Sequence, residues 1–265
     1  MKNQVIRILD SDIDLLDYLN SIYLPNKFIN TLINNKLVKK EGNKVIFDLK
    51  DLDINDVVGV NHPIDIVYED SEIIVINKER GVLVHSDGES SETLLNYVSY
   101  YLLNKGEALK PRCVHRIDLD TIGLVLFSKN IISYYHLFYQ MNNQMIEKRY
   151  YAVVKGKVAS GLVDAKIGKN RHINNKYLVT KSGKEAKTIY DLISYKDDKS
   201  LIDVKILTGR THQIRVHMAY ISHPILGDNI YGSGNKLQLE NYYLGFINPS
   251  DNKYQIIKID NKLDY

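Results

Sequence analysis

Within the nine residues from Arg112 to Asp120 the chain places two guanidinium groups (Arg112, Arg116), one imidazole (His115) and two carboxylates (Asp118, Asp120). No other stretch is as dense in reactive groups. Gly123 follows, a residue that lets the backbone turn or a ligand come close, and then an apolar run, 124–127. The cluster reads as an active-site loop. Two carboxylates two positions apart share a face if the segment is extended, as an acid/base pair or metal ligands would need; in a loop only one has to face the site. Asp120 then has a plainer use, capping the turn before Thr121 or pairing with an arginine. His115 has three options: general base, ligand, or hydrogen-bonded structural residue. The planar five-donor group of Arg116 suits phosphates and stacked bases as well as ion pairs. Cys113 could form a reactive thiolate beside Arg112, but next to Val114 it reads as a small buried residue.

Composition bounds what can surround this loop. The 265 residues, 44% hydrophobic, suffice for one large domain or a main domain with a small companion. No apolar run reaches the roughly 18 residues of a membrane span, and the first residues lack the apolar stretch of a secretory signal. The single cysteine rules out an intramolecular disulfide and a cysteine-based metal cluster. A cytoplasmic, monomeric protein is the expectation. A net charge of +3 permits a nucleic-acid partner without requiring one.

The elements that must position the loop follow from periodicity. Residues 1–60 read as a small N-terminal α/β module: Leu15, Leu16 and Leu19 at helical spacing, Phe28, Leu32 and Ile33 after the break at Pro25, then strands over 44–47 and 56–60. Their order resembles a small RNA-binding module shared by a ribosomal protein and some RNA-modifying enzymes, although residues 36–42 stand where that module has a short turn. After a linker at Asn61-His62-Pro63, residues 61–265 form the larger unit. It is expected to hold a strand pair (64–69, 72–77), a third extended run (82–85), a helix capped at Ser90-Ser91 and carrying Leu94, Leu95, Val98 and Leu102, a buried strand over 122–127, and a helix bearing Tyr135, Phe138, Tyr139 and Met141. Strands over 148–156, 201–207 and 242–246 follow. A helix capped by Thr211 turns Ile214, Met218 and Ile221 inward. Between 166 and 187, seven lysines and arginines face one glutamate, a solvated face or a phosphate-binding one.

His115-Arg116-Ile117-Asp118-x-x-Thr121-x-Gly123 and the apolar residues after it resemble the signature of the RluA-type pseudouridine synthases. Further segments resemble the family in its order: Asn77-Lys78-x-x-Gly81, Lys148-x-Tyr150-x-Ala152, Gly183-Lys184-x-Ala186, Thr208-Gly209-Arg210-Thr211-His212-Gln213-Ile214-Arg215-x-His217 and His223-Pro224-Ile225-x-Gly227-Asp228-x-x-Tyr231-Gly232. The resemblance implies an α+β fold, a mixed, mainly antiparallel sheet flanked by helices, with an RNA cleft across it. It implies an isomerase that converts uridines of large-subunit ribosomal RNA or transfer RNA to pseudouridine. Asp118 would be the nucleophile, Tyr150 the ring that packs on the uracil, and Arg215 the cation paired with Asp118. Arg116 would enter the RNA stack, with His115, Arg210 and Lys184 as further RNA contacts. The family histidines near the last strand are Glu240 and Asn248 here.

The chemistry agrees with that division. Moving the sugar from ring nitrogen to carbon 5 exchanges no electrons, so no redox cofactor or metal is required. An adjacent arginine keeps an aspartate ionised, a tyrosine offers a π face to the freed base, and the uridine has to leave the helix stack to react. Two alternatives stand beside this reading. One is a non-catalytic RNA-binding protein on the same fold. The other is a metal-dependent hydrolase using His115, Asp118, Asp120, His212 and His217, against which stands the roughly 140° between the directions of His212 and His217 on a helix.

Overall fold

The computed structural model describes residues 3–88, 90 and 92–265. In chain order the elements are β1 (Gln4–Ile8), α1 (Leu15–Ser21), α2 (Asn26–Asn34), β2 (Val38–Glu41), β3 (Lys44–Asp48), β4 (Asp65–Glu69), β5 (Ile73–Lys78), α3 (Leu94–Asn104), β6 (Arg112–Cys113), β7 (Ile122–Ser128), α4 (Ile131–Asn142), β8 (Glu147–Lys155), β9 (Gly161–Asp164), β10 (Ile167–Lys169), β11 (Tyr177–Val179), β12 (Lys187–Lys196), β13 (Lys199–Ile206), α5 (Gln213–Tyr220), β14 (Leu239–Ile247) and β15 (Tyr254–Lys258). A ten-stranded sheet runs β4-β5-β7-β14-β8-β13-β12-β9, with β15 on β14 and β6 on β7. Its pairings are antiparallel except β7 with β14, which is parallel. The architecture is α+β.

The central strands β7 and β14 are buried on both faces. In β7, residues 123–128 are all buried, and β14 is buried from Leu239 to Phe246. One face carries Ile74, Ile76, Val125 and Phe127 into the core with α3 and α5; the other carries Ile73, Val75, Leu124 and Leu126 against Leu137 of α4 and Phe246. Gly123 is obligatory at the parallel crossing. Its φ is +106°, and a Cβ there would lie 2.2 Å from the Asn241 carbonyl oxygen, so the glycine that ends the sequence motif is what lets β14 close on β7.

The N-terminal residues build a separate three-stranded sheet, β1-β3-β2, under α1 and α2. Leu19, Leu32, Val45 and Phe47 form its core, which continues into Leu109 and Ile132. Val38–Glu41 is a strand paired with β3 rather than a stretched turn, and β1 had no counterpart in the sequence reading. Residues 56–60 are not a strand. Their backbone bonds go to α3 instead: Ser99 Oγ donates to the Val57 carbonyl, Asn96 Nδ2 to the Val58 carbonyl, and the Val60 N–H to the Asn96 carbonyl.

Other local departures have equally local causes. Residues 82–85 make only an isolated bridge, Leu83 to Thr93. The helix after them starts at Thr93, whose N–H and hydroxyl both donate to Asn96 Oδ1 (3.2 and 2.6 Å); Ser90 lies upstream of the cap, and Ser91 is outside the described residues. In α4 the buried stripe is Ile132, Ser133, His136, Leu137 and Gln140, which leaves Phe138 and Tyr139 exposed. The N-cap of α5 is His212, in the left-handed region at φ 56°, and not Thr211. The inward residues Ile214 and Met218 are as expected.

Candidate active site

The loop between β6 and β7 is fixed from behind by the segment that precedes it in the resemblance. Lys78 is 1% exposed and its ammonium donates to the carbonyls of Glu79, Val82 and Leu119 at 2.7, 2.9 and 2.9 Å. Burial drags its pKa down to about 8. Arg80 Nη1 donates to the Asp120 carbonyl (2.8 Å) and the Gly81 N–H to the Leu119 carbonyl (3.0 Å). The turn itself is closed by the Thr121 N–H on the Asp118 carbonyl (3.1 Å). The segment is thus a loop, and the two aspartates separate: Asp118 lines the cleft, whereas Asp120 contributes its carbonyl to Arg80 and does not cap the turn with its carboxylate. Cys113 is half-buried, and burial pushes its thiol up to about 12, so it is a packed and unreactive thiol.

Facing Asp118 from α5 is Arg215. Its Nη1 lies 3.5 Å from Asp118 Oδ2, while Nε and Nη2 grip Asp228 at 2.8 Å each. Arg215 is 3% exposed and Asp228 is fully buried. Burial alone would raise the Asp228 carboxyl; the guanidinium and the N–H groups of Ile230 and Tyr231, which also donate to Asp228 Oδ1, outweigh it and hold the group below its ordinary value. Gly227 makes the turn possible. At φ +73°, a Cβ there would sit 1.9 Å from the Lys236 carbonyl oxygen. The same turn aims Tyr231, whose hydroxyl lies 2.9 Å from His212 Nδ1 and accepts the Tyr177 N–H at 2.8 Å. His212 Nε2 stands 3.9 Å from Asp118 Oδ2. Burial lowers the His212 pKa, with the Asp118 charge opposing it.

Tyr150, on β8, is 6% exposed and lines the same cleft of about 310 Å³. Burial, reinforced by the Asp118 charge, raises its phenol, which stays neutral. Asp118, Tyr150 and Arg215 therefore meet in one cavity. At its rim are Arg116, exposed, and Arg210, whose Nε donates to the Glu185 carbonyl (2.8 Å). Lys184 is exposed beyond the cleft, at the turn that pairs with Ile167. The β10–β11 hairpin carries the basic segment and docks on the site through Tyr177, whose ring meets His212 edge-on at 5.6 Å. His115 departs from the surface role assigned to it. It is 6% exposed, its Nε2 accepts the Leu126 N–H (3.2 Å), and burial takes its pKa down to about 3, so it braces β7 from within as a neutral ring.

The hydrolase reading finds no support in this geometry. His217 faces away from the cleft, with Nδ1 on Thr188 Oγ1 (2.8 Å) and Nε2 on the Ala165 carbonyl (2.9 Å), and among the described residues no group of three or more His, Cys, Asp or Glu is placed to hold a metal ion. Glu240 and Asn248 are 0% and 1% exposed, so neither stands on a surface that RNA could touch. Asp228, Tyr231 and Lys148 belong to the site although sequence reading gave them no role; the one signal was that all three fall inside the motif segments. Among the described residues, no helix is long and apolar enough to cross a membrane.

A cation-paired aspartate and a buried tyrosine in one cleft, beside a basic hairpin, define an enzyme site for a polyanionic substrate. Comparison with known proteins makes this specific. The family model for RNA pseudouridylate synthase matches residues 72–220. An uncharacterized RNA pseudouridine synthase of Aquifex aeolicus is 37% identical over 242 residues, covering 83% of this chain and 77% of that one. The ribosomal large subunit pseudouridine synthase D of Borreliella burgdorferi is 36% identical over 215 residues, covering 78% and 66%. The solved structure of human RNA pseudouridylate synthase domain containing 1 superposes with a TM-score of 0.65 at 23% identity, over 76% of this chain and 85% of that one, a likeness of fold. The chain belongs to the RluA-type RNA pseudouridine synthases. It is an isomerase that acts on RNA.

Proposed function

We propose that this enzyme isomerises a uridine of large-subunit ribosomal RNA, with Asp118 as nucleophile and the target nucleotide flipped into the cleft. The observation that carries the reading is the Asp118 carboxylate opposite Arg215 Nη1 at 3.5 Å, in the cavity that Tyr150 also lines. Arg215 sets a fixed positive charge beside the carboxylate that would act as nucleophile. Tyr150, neutral and apolar in its surroundings, packs on the uracil while the base is released, turned and rejoined through carbon 5. Extruding the uridine costs a few kcal/mol; Arg116 offsets this by entering the stack in its place, and Arg210, Lys184 and the basic hairpin hold phosphates. The names of relatives from several bacteria, ribosomal large subunit pseudouridine synthase D, favour that RNA over transfer RNA. Residues 61–265 carry the chemistry, and residues 1–60, with their own sheet, form an accessory unit that adds RNA contacts. The enzyme works as a cytoplasmic monomer.

The test is pseudouridine mapping of cellular RNA with and without the gene, followed by assay of the mapped site with purified protein. The expected result is a modified uridine in large-subunit RNA that Asp118→Ala no longer forms while still binding the RNA. Normal activity of Asp118→Ala would refute the nucleophile; a mapped site in transfer RNA alone would refute the target.

A further inference from the structure

Three lysines are buried among the described residues, and two of them are saturated with oxygen. Lys78 serves three carbonyls, and Lys129 donates to Glu69, Glu107 and the Asp70 carbonyl. Lys148 differs. It is 7% exposed, and its one hydrogen-bond partner among the described residues is the Met141 sulfur at 3.6 Å, a weak acceptor. An ammonium removed from water without an oxygen partner is costly, and burial drags the Lys148 pKa down to about 8. Its location gives that cost a use. Lys148 and Tyr150 stand two residues apart on β8, so their side chains leave the same face of the strand, and both line the cleft that holds Asp118.

We propose that Lys148 is a further catalytic residue, whose ammonium donates a hydrogen bond to a carbonyl oxygen of the flipped uracil and stabilises the negative charge that the ring carries during the reaction. The inference rests on the assignment of this cleft as the active site. By whichever route Asp118 acts, the C1′–N1 bond breaks and its electron pair goes to the uracil, where N1, O2 and O4 share the charge. The C1′–C5 bond then forms, C5 loses its proton, N1 gains one, and the product is an isomer of the substrate. Lys148 transfers no proton; it supplies a fixed donor in a water-poor site where charge develops. Burial selects the base as its ligand. Backbone phosphates stay near the exposed Arg116, Arg210 and Lys184, whereas only an inserted nucleotide reaches a side chain this enclosed. That nucleotide's own phosphate is the other source of an oxygen, since Lys148 also borders an adjoining hollow with Lys205 and Thr208.

The experiment is single-turnover pseudouridine formation at saturating RNA, using an oligonucleotide that carries the mapped uridine. Lys148→Met is expected to slow the reaction by about 100-fold, the scale on which one preorganised donor acts. The RNA dissociation constant should change by less than about threefold and the melting temperature should hold or rise, because a buried unpaired charge has been removed. A rate loss matched by equal losses of stability and affinity would mean a structural role and overturn the proposal. The same pair of proteins is then assayed on RNA with a neutral methylphosphonate at the target nucleotide's 5′ position. A base contact leaves the Lys148→Met penalty intact; collapse of the penalty would give the ammonium to the phosphate and overturn the proposal. Lys148→Leu serves as a second variant without a donor, and a wild-type rate in either folded variant is also fatal. Asp118→Ala is run alongside: its activity tests the nucleophile independently, so a fully active Lys148→Met beside an inactive Asp118→Ala rejects this inference alone.

Discussion

Arg7 and Arg215 are both buried guanidinium groups that grip a buried carboxylate through Nε and Nη2. Arg7 holds Glu72 at 2.7 and 2.6 Å, and Arg215 holds Asp228 at 2.8 Å twice. In each, burial works against the positive charge and the carboxylate outweighs it, leaving the arginine pKa raised. They differ in the third nitrogen. Arg7 Nη1 points to the Tyr18 hydroxyl at 3.3 Å, on α1, so each of its three nitrogens helps tie β1 and α1 to the β4–β5 hairpin. Arg215 Nη1 points instead at Asp118, at 3.5 Å across the mouth of a cleft. The same fork is closed in one place and left with an outward donor in the other. A buried ion pair is therefore a closed fastener or the wall of an open cleft according to where its remaining nitrogen is aimed.

The largest effect should come from opening the fastener. Arg7→Met leaves Glu72 buried at 2% exposure with its charge uncompensated, and breaking such a pair costs about 3–5 kcal/mol. Denaturant unfolding measures this. Pseudouridine formation per folded molecule, assayed at low temperature, should remain within about threefold of wild type. If Arg7→Met were as stable as wild type but inactive, the division between the two arginines would fail.

Asp228→Asn attacks the other fork and should cost rate as well as stability, since Arg215 stays buried with only Asp118 opposite it. The side chain keeps its shape but presents an amide to Arg215, so Nη1 loses its fixed aim at Asp118. A single-turnover loss of about 100-fold, or about 2.7 kcal/mol, is expected, with RNA affinity within about threefold. A variant that loses stability and keeps its rate would make Asp228 a second Glu72.

What the sequence made legible follows the same division. β7 and its loop could be read because the information is local: a continuous apolar run, a glycine, and charged groups at fixed spacing. The two grips could not. Glu72 is 65 residues from Arg7 and Asp228 is 13 from Arg215, and no periodicity encodes which carboxylate a buried guanidinium will meet. β1 and β2 escaped for a related reason: β1 alternates strictly in burial but buries Arg7 and exposes Ile6 and Ile8, so its hydropathy does not follow, and β2 is only four residues long. Residues 56–60 have strand-like composition, yet side chains of α3 take their backbone groups. The preference for Asp118 over Asp120 comes from family resemblance alone; no local pattern encodes that Arg80 and Lys78 hold the Asp120 side of the loop by the carbonyls of Asp120 and Leu119.

The smallest effect per pH unit probes what the Arg7 charge does to its neighbours. His136 on α4 is 1% exposed, neither ring nitrogen has a hydrogen-bond partner among the described residues, and burial together with the Arg7 charge takes its pKa from 6.5 to about 3. Between those values the unfolded chain binds a proton at His136 that the folded chain refuses. Stability contributed this way is intact above pH 6.5 and is lost as the pH falls towards 3, with a slope of about 1.4 kcal/mol per pH unit for one such group. His136→Phe should flatten the acid limb of stability against pH by about one proton, leaving the similar share of buried His115. Arg7→Met should flatten it less, because the burial remains when the charge is gone. An acid limb unchanged in His136→Phe would mean that the ring already carries a proton beside Arg7, and the fastener could not then be the saturated, charge-excluding site that sets it apart from Arg215.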